Sequence, residues 1–286
     1  MKEINQLIHL TSDIERLKSI LKNGFFTSYA KESFAGKSIL IPMISFTNLL
    51  YRDIGSNEVI DYGNYGLVFN RDITINKFDL NPVIYFKNES IVEKSIADNF
   101  ETSVLPQVLD YVKDFYSNGN FKNITDHINF NPISNKVRNL INHFDENVND
   151  EVVNDLKIIF GELFTNSLNQ LLLAKPYKVF NKSGEIKIAY NEREWRKSFF
   201  NLNFIFEFKP NGSRNEKYHE WINKPKPHFV KDHVLKISIS DIKSIIVMEE
   251  FEIEVIKKFI HDEVFSEKID VEINTLSYFK ETEIHN

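Results

Sequence analysis

Apolar residues recur along this chain in two rhythms, and the change between them marks its elements. Asn5 to Leu10 is a short strand-like run. Ser12-Asp13-Ile14-Glu15 then has the form of a capping box, with Ser12 at the N-cap and Glu15 three residues later. Ile14, Leu17, Ile20 and Leu21 follow at helical spacing, and Gly24 stands where a C′ glycine belongs, which predicts a helix over 13–22. Phe25 to Gly36 reads as a loop of mixed polarity. Ser38 to Thr47 reads as a strand with Pro42 at an edge or kink. Leu49 to Asp61 reads as a short helix or loop, and Asp61-Tyr62-Gly63-Asn64-Tyr65-Gly66 as a turn leading into the strand Leu67–Asn70. A further strand covers Asn81–Phe86. Two long runs, 91–118 and 151–174, carry apolar stripes at helical spacing around an Asn-rich polar stretch. Strands resume at Ile186–Tyr190, Asn203–Phe208, Val234–Ile239 and Ile245–Met248. An amphipathic helix over Glu250–Val264, with Phe251, Val255, Ile256, Phe259 and Ile260 inward, precedes a last strand, Ile269–Ile273. The order of elements predicts a single α+β domain over 1–286, with a helical insertion at about 91–175.

Composition narrows the chemistry. With no cysteine among 286 residues, disulfides, thiolate zinc sites and a cysteine nucleophile are excluded. The net charge of −6 argues against non-specific nucleic-acid binding by the whole surface. Met1–Ile8 lacks the apolar region of a signal peptide, and no apolar run approaches the roughly 20 residues of a membrane span, so the expectation is a cytoplasmic protein without a membrane partner.

The stretch with the most chemistry is Tyr190-Asn191-Glu192-Arg193-Glu194-Trp195-Arg196-Lys197. Read as one strand, it puts Glu192, Glu194 and Arg196 on one face and Arg193, Trp195 and Lys197 on the other. Two carboxylates about 7 Å apart repel unless a cation lies over them: a metal, a substrate or a neighbouring arginine. A solvated edge strand with surface ion pairs is the plain alternative. His9 and Thr11 stand just before a helix N-terminus, where an anion is favoured. Tyr62 and Tyr65, between two glycines, offer flat faces and hydroxyls to a ligand, or pack a hairpin turn. The 214–233 loop interleaves Lys217, Lys224, Lys226 and Lys231 with Trp221 and Phe229. That composition suits single-stranded nucleic acid such as RNA, or a long solvated connection. Its three histidines match no metal-ligand spacing.

Several segments together resemble the AbiGi family of abortive phage-infection proteins. They are His9-Leu10-Thr11, Leu17 to Phe25, Pro42 to Phe46, Tyr62 to Leu67, Asn81 to Tyr85, Glu192 to Arg196, Leu235 to Ile242 and Ile245 to Val247. The family has been labelled an antitoxin. Its layout is also similar to that of ADP-ribosyltransferases, which implies a split β-sheet core and NAD as substrate. Carried onto this chain, that likeness makes Glu194 the catalytic carboxylate and Glu192 its helper. His9 and Thr11 become ribose and nicotinamide contacts, Tyr62 and Tyr65 stacking partners, and Arg71 or Arg52 a pyrophosphate contact.

Three functions follow. The first is an NAD-dependent ADP-ribosyltransferase toxin that modifies a macromolecule and needs an antitoxin protein. Its carboxylate would stabilise the oxocarbenium-like ribose as nicotinamide leaves, with no metal required. The second is a non-catalytic antitoxin or regulatory binding protein, in which Glu192 and Glu194 are ion-paired to Arg193 or Arg196. The third is a nuclease with Glu192 and Glu194 on Mg²⁺.

Overall fold

The computed structural model describes residues 4–34, 37–94, 172–199, 205–207, 213–223, 229–264 and 271–284. Most of the expected helical insertion therefore lies outside the described residues. The architecture is α+β, built on a sheet of ten strands.

The spine of that sheet is β1 (Leu7–Thr11), β4 (Tyr65–Phe69) and β13 (Ile242–Val247). Every residue of β4 is buried, as expected of a strand covered on both faces. Alternation divides the apolar side chains between two cores. Leu7, Leu67, Phe69, Ile245 and Val247 point to one face, where α1 (Ile14–Asn23) packs Leu17 and Leu21 against them. Ile8, Leu10, Val68 and Ile246 point to the other, against Tyr51, Ile54 and Phe279. Each fully buried Leu, Ile or Phe contributes about 1.5–3 kcal/mol. β14 (Glu272–Thr275) extends this half, parallel to β13.

The other half is a long hairpin. Phe25–Gly36 is not a loop: Phe25–Phe34 forms β2, antiparallel to β3 (Lys37–Thr47). The polar residues of β2 obscured it, because Thr27, Ser28, Lys31, Glu32 and Ser33 fall on both of its faces and leave no apolar alternation. Pro42 is tolerated because it falls between the two partners on β3's far side, β10 (Glu194–Ser198) and β11 (Ile205–Phe206). β12 (Phe229–Leu235) borders β2.

Several boundaries move for identifiable reasons. Asp13, not Ser12, caps α1: its carboxylate accepts the Arg16 N–H at 2.9 Å, and the Ser12 hydroxyl donates to Asp13 instead. Residues 51–62 form a 3₁₀ turn and α2 (Ser56–Tyr62). Arg71–Phe78 is α3, a helix with no amphipathic signature, capped by Asn70. Asn81–Phe86 divides into β5 (Asn81–Pro82), on β10, and β6 (Ile84–Phe86), which joins β7 (Ala174–Pro176) in a separate small sheet. The basic loop contains α4 (Glu216–Asn223), whose Tyr218 is buried and whose Trp221 packs on Tyr29 at 4.6 Å. In α5 (Phe251–Phe259), Ile256 faces inward while Phe251 and Val255 are exposed, because Glu252 takes the inward place and accepts from the Tyr65 hydroxyl. The chain closes with α6 (Leu276–Ile284). No helix among the described residues is long and apolar enough to cross a membrane.

Gly63 ends α2 with φ 111°, and a Cβ there would lie 2.2 Å from the Thr11 carbonyl oxygen. Gly184, in a hairpin turn, has φ 85° but nothing within 4 Å of its would-be Cβ. Gly184→Ala should therefore lose only the backbone penalty, about 1 kcal/mol. Gly63→Ala should lose clearly more, since it adds a main-chain collision that moves Tyr62. Urea unfolding of both variants checks the difference.

Candidate functional site

β3 is shared unevenly. It pairs with β2 from Lys37 to Met43, and with β1 only at Thr47, opposite Ile8. Between those contacts, Ile44, Ser45 and Phe46 have no strand partner on that side among the described residues, and β1 and β2 splay apart. The His9 side chain crosses this split. Its Nδ1 lies 2.8 Å from the Ser45 carbonyl oxygen, so Nδ1 carries the hydrogen and Nε2 is left as an acceptor. The ring packs on Phe25, with centroids 4.6 Å apart. Burial pushes the His9 pKa down from 6.5, and the bond to Ser45 opposes this only in part, which keeps the imidazole neutral.

A cavity of about 610 Å³ opens at the split. One side is apolar, with Ile20, Phe25, Phe26, Ile44 and Phe46. The other carries Asp61, Tyr62, Lys182, Glu192 and Glu194, and His9 and Thr11 line it from β1. Five of the candidate residues, His9, Thr11, Tyr62, Glu192 and Glu194, are therefore brought to one place. Tyr65 is not among them: its ring is in the core, and burial with the Glu252 contact pushes its hydroxyl up to about 12. Arg71 lies past the opposite end of β4, donating to the Ile4 carbonyl at 3.0 Å and pairing with Asp72 at 2.8 Å. Arg52 is exposed beside the 3₁₀ turn, with its backbone N–H on Glu283. The anion site expected before α1 is already filled by the Asp13 carboxylate.

The stretch 190–197 is not one strand. Ala189–Glu192 is a 3₁₀ turn, Arg193 takes the left-handed conformation at φ 45°, and only then does β10 begin. The turn nevertheless brings Glu192 beside Glu194. Strand alternation holds from there, with Glu194 and Arg196 buried on one side and Trp195 against the main core on the other.

What lies over the two carboxylates is a buried run of alternating charge. Lys187, on β9 (Ile186–Ile188), donates to both Asp61 and Glu192. Lys175, on β7, bridges Glu192 at 2.9 Å and Glu194 at 2.7 Å. Arg196 holds Glu194 through Nε at 2.7 Å and Nη2 at 3.2 Å, and also donates to Glu32. The Tyr62 hydroxyl donates to Glu192 at 3.0 Å. The sequence Asp61–Lys187–Glu192–Lys175–Glu194–Arg196–Glu32 is thus continuous. Burial alone would push the Glu194 carboxyl up, but Arg196 and then Lys175 override it and hold it well below the usual carboxylate range. Burial pushes the Tyr62 hydroxyl well above 10, reinforced by Glu192 and Glu194.

Lys175, Lys187, Asp61 and Glu32 were not legible as site residues. Ile186–Ile188 is a strand as expected, but Ile186 is 66% exposed and Lys187 is buried. Lysines flanked by apolar residues at Ala174-Lys175-Pro176 and Ile186-Lys187-Ile188 were the one available signal.

A family model described as abortive phage resistance protein AbiGi, antitoxin, matches residues 21–248. Neither the curated proteins nor the solved structures yield a match.

Two measurements follow from the site. Lys175→Met leaves two buried carboxylates short of a cation and should lower the unfolding free energy by about 3–5 kcal/mol. Lys257→Met, at an exposed pair, should change it by less than about 0.5 kcal/mol. The second concerns pH. His9 has a lower pKa folded than unfolded, so the unfolded state binds more protons and stability falls as pH drops below about 6.5. His9→Asn, which retains a donor for Ser45, should flatten the stability profile between pH 7 and 5 in denaturant titrations.

Proposed function

Because the chain belongs to the AbiGi family of abortive phage resistance proteins, we propose that it is the antitoxin of an abortive-infection system, a non-catalytic protein that restrains a toxin by binding it. The observation that carries this reading is that buried cations lie directly over Glu192 and Glu194. Glu192 accepts from Lys175, Lys187 and the Tyr62 hydroxyl, and Glu194 from Lys175 and Arg196. A general base needs a carboxylate that can take a proton near neutral pH, and Glu194 is held far from that condition. Lys175 also stands between the two carboxylates, where a catalytic Mg²⁺ would have to sit.

One observation favours a second reading, an NAD-dependent ADP-ribosyltransferase with a split β-sheet core. His9, Thr11, Tyr62, Glu192 and Glu194 surround one cavity at a split in the sheet. In such a reaction the bond from ribose to nicotinamide breaks, and an acceptor on a macromolecule, RNA among the candidates, bonds to the same ribose carbon and gives up a proton. Glu194 would hold a ribose hydroxyl and offset the developing positive charge. The residues fit the ribose better than the pyrophosphate, since Arg71 and Arg52 lie elsewhere and Arg16 pairs with Asp13 at 3.3 Å.

The test uses a bacterial host carrying the complete defence system. Deleting this chain should arrest growth in the absence of phage, and plasmid-borne wild type should restore it. Purified wild type incubated with labelled NAD and host lysate should transfer no label. Toxicity of the chain expressed alone, with label transfer, would replace the antitoxin reading by the transferase one.

A further inference from the structure

The cavity has a use that neither the antitoxin label nor the ion run accounts for. A carboxylate offers about four acceptor sites. Glu192 has three in use, by Tyr62, Lys187 and Lys175. Glu194 also has three in use, by Lys175 and by two nitrogens of Arg196. One acceptor site remains on each, both carboxylates line the cavity, and they are close enough to share one ammonium. Two adjacent acceptors suit two adjacent hydroxyls.

Much of the remaining lining is apolar. Phe46 stands edge-on to Phe25 with centroids 5.4 Å apart, and Phe26 and Phe229 lie 5.6 Å apart in the same lining. The neutral His9 ring is part of this wall, edge-on to Phe25 and Phe46 with centroids 4.6 and 5.7 Å away, and presents Nε2 as an acceptor for an N–H donor. The charged groups in the lining are already matched: Arg16 to Asp13, Glu15 to Lys18 at 2.8 Å, and the Lys182 ammonium to the Asp61 carbonyl. This lining offers no excess positive charge to hold a phosphate. The volume falls in the range of pockets that enclose small organic ligands.

We infer that the cavity binds an uncharged ribonucleoside with an amino-bearing base, its vicinal diol on Glu192 and Glu194 and its base against the wall that the phenylalanines and His9 form together. The site makes the protein responsive to a small molecule. It does not depend on the antitoxin reading, and the growth-rescue test can succeed or fail independently of it.

Isothermal titration of the wild-type full chain tests the inference, with adenosine, cytidine and guanosine as probes. At least one should bind. Its 2′,3′-dideoxy form should bind at least tenfold more weakly, and its 5′-monophosphate no more tightly. Ser19→Trp, which fills the cavity from a half-buried position on α1, should abolish the heat while leaving the melting temperature near that of wild type. No binding by any of the three, equal binding of the dideoxy form, or tenfold tighter binding of the monophosphate would each overturn it. So would binding that persists in folded Ser19→Trp. If that variant does not fold, the dideoxy and monophosphate comparisons on wild type decide.

Discussion

Seven ionised side chains share one buried wall of this protein, and the alternation of their signs is what makes the wall possible. Moving a single carboxylate or ammonium out of water costs several kcal/mol even after relaxation. Here every interior member touches two groups of opposite sign, so no charge is left to face low dielectric alone. The gain over a hydrophobic wall of the same volume is small or negative, because Coulomb attraction chiefly offsets desolvation. The benefit is uniqueness. Asp61 comes from α2, Glu32 from β2, Lys175 from β7, Lys187 from β9, and Glu192, Glu194 and Arg196 from around β10. Misplacing any one of these elements would strand its neighbour's charge.

The second constraint is the split beside β3. A strand that loses its partner part-way exposes backbone groups that must find another. The Ser45 carbonyl finds the His9 ring, so the imidazole serves as a spacer that completes the hydrogen bonding while keeping β1 and β2 apart. The same substitution of side chain for strand opens the cavity. An apolar residue at position 9 would leave that carbonyl unpaired.

The parts of the fold that announce themselves in sequence are those with a clean helical period or an apolar run dense enough for a strand buried on both faces. The helix over 14–23 and the strands at 38–47, 67–69 and 245–247 are of this kind. β2 was hidden by polar residues on both of its faces, and α3 by the lack of any stripe. At the site, Glu192, Glu194, His9, Thr11 and Tyr62 stand out because carboxylate pairs and glycine-flanked aromatics are chemically conspicuous. Their lysine partners do not: Lys175, 17 residues from Glu192 and 19 from Glu194 in sequence, is brought over both by tertiary packing alone. The 3₁₀ turn at 189–192 escaped notice for a related reason: a left-handed arginine is not signalled by its residue type.

The small hairpin of β8 (Lys178–Phe180) and β9 inverts the usual pattern, with Phe180 and Ile186 exposed and Lys187 turned inward. A strand's register fixes which of its two sides faces the core. By hydrophobicity alone, this hairpin would prefer to slip by one residue, bury its isoleucines and release its lysine to water. The alternating charges prevent the slip, since Lys187 is held by Asp61 and Glu192 together. Electrostatics therefore sets a β-register against the hydrophobic preference of the same strands, and the apolar side chains it leaves outside are a surface this protein keeps exposed by design of its interior.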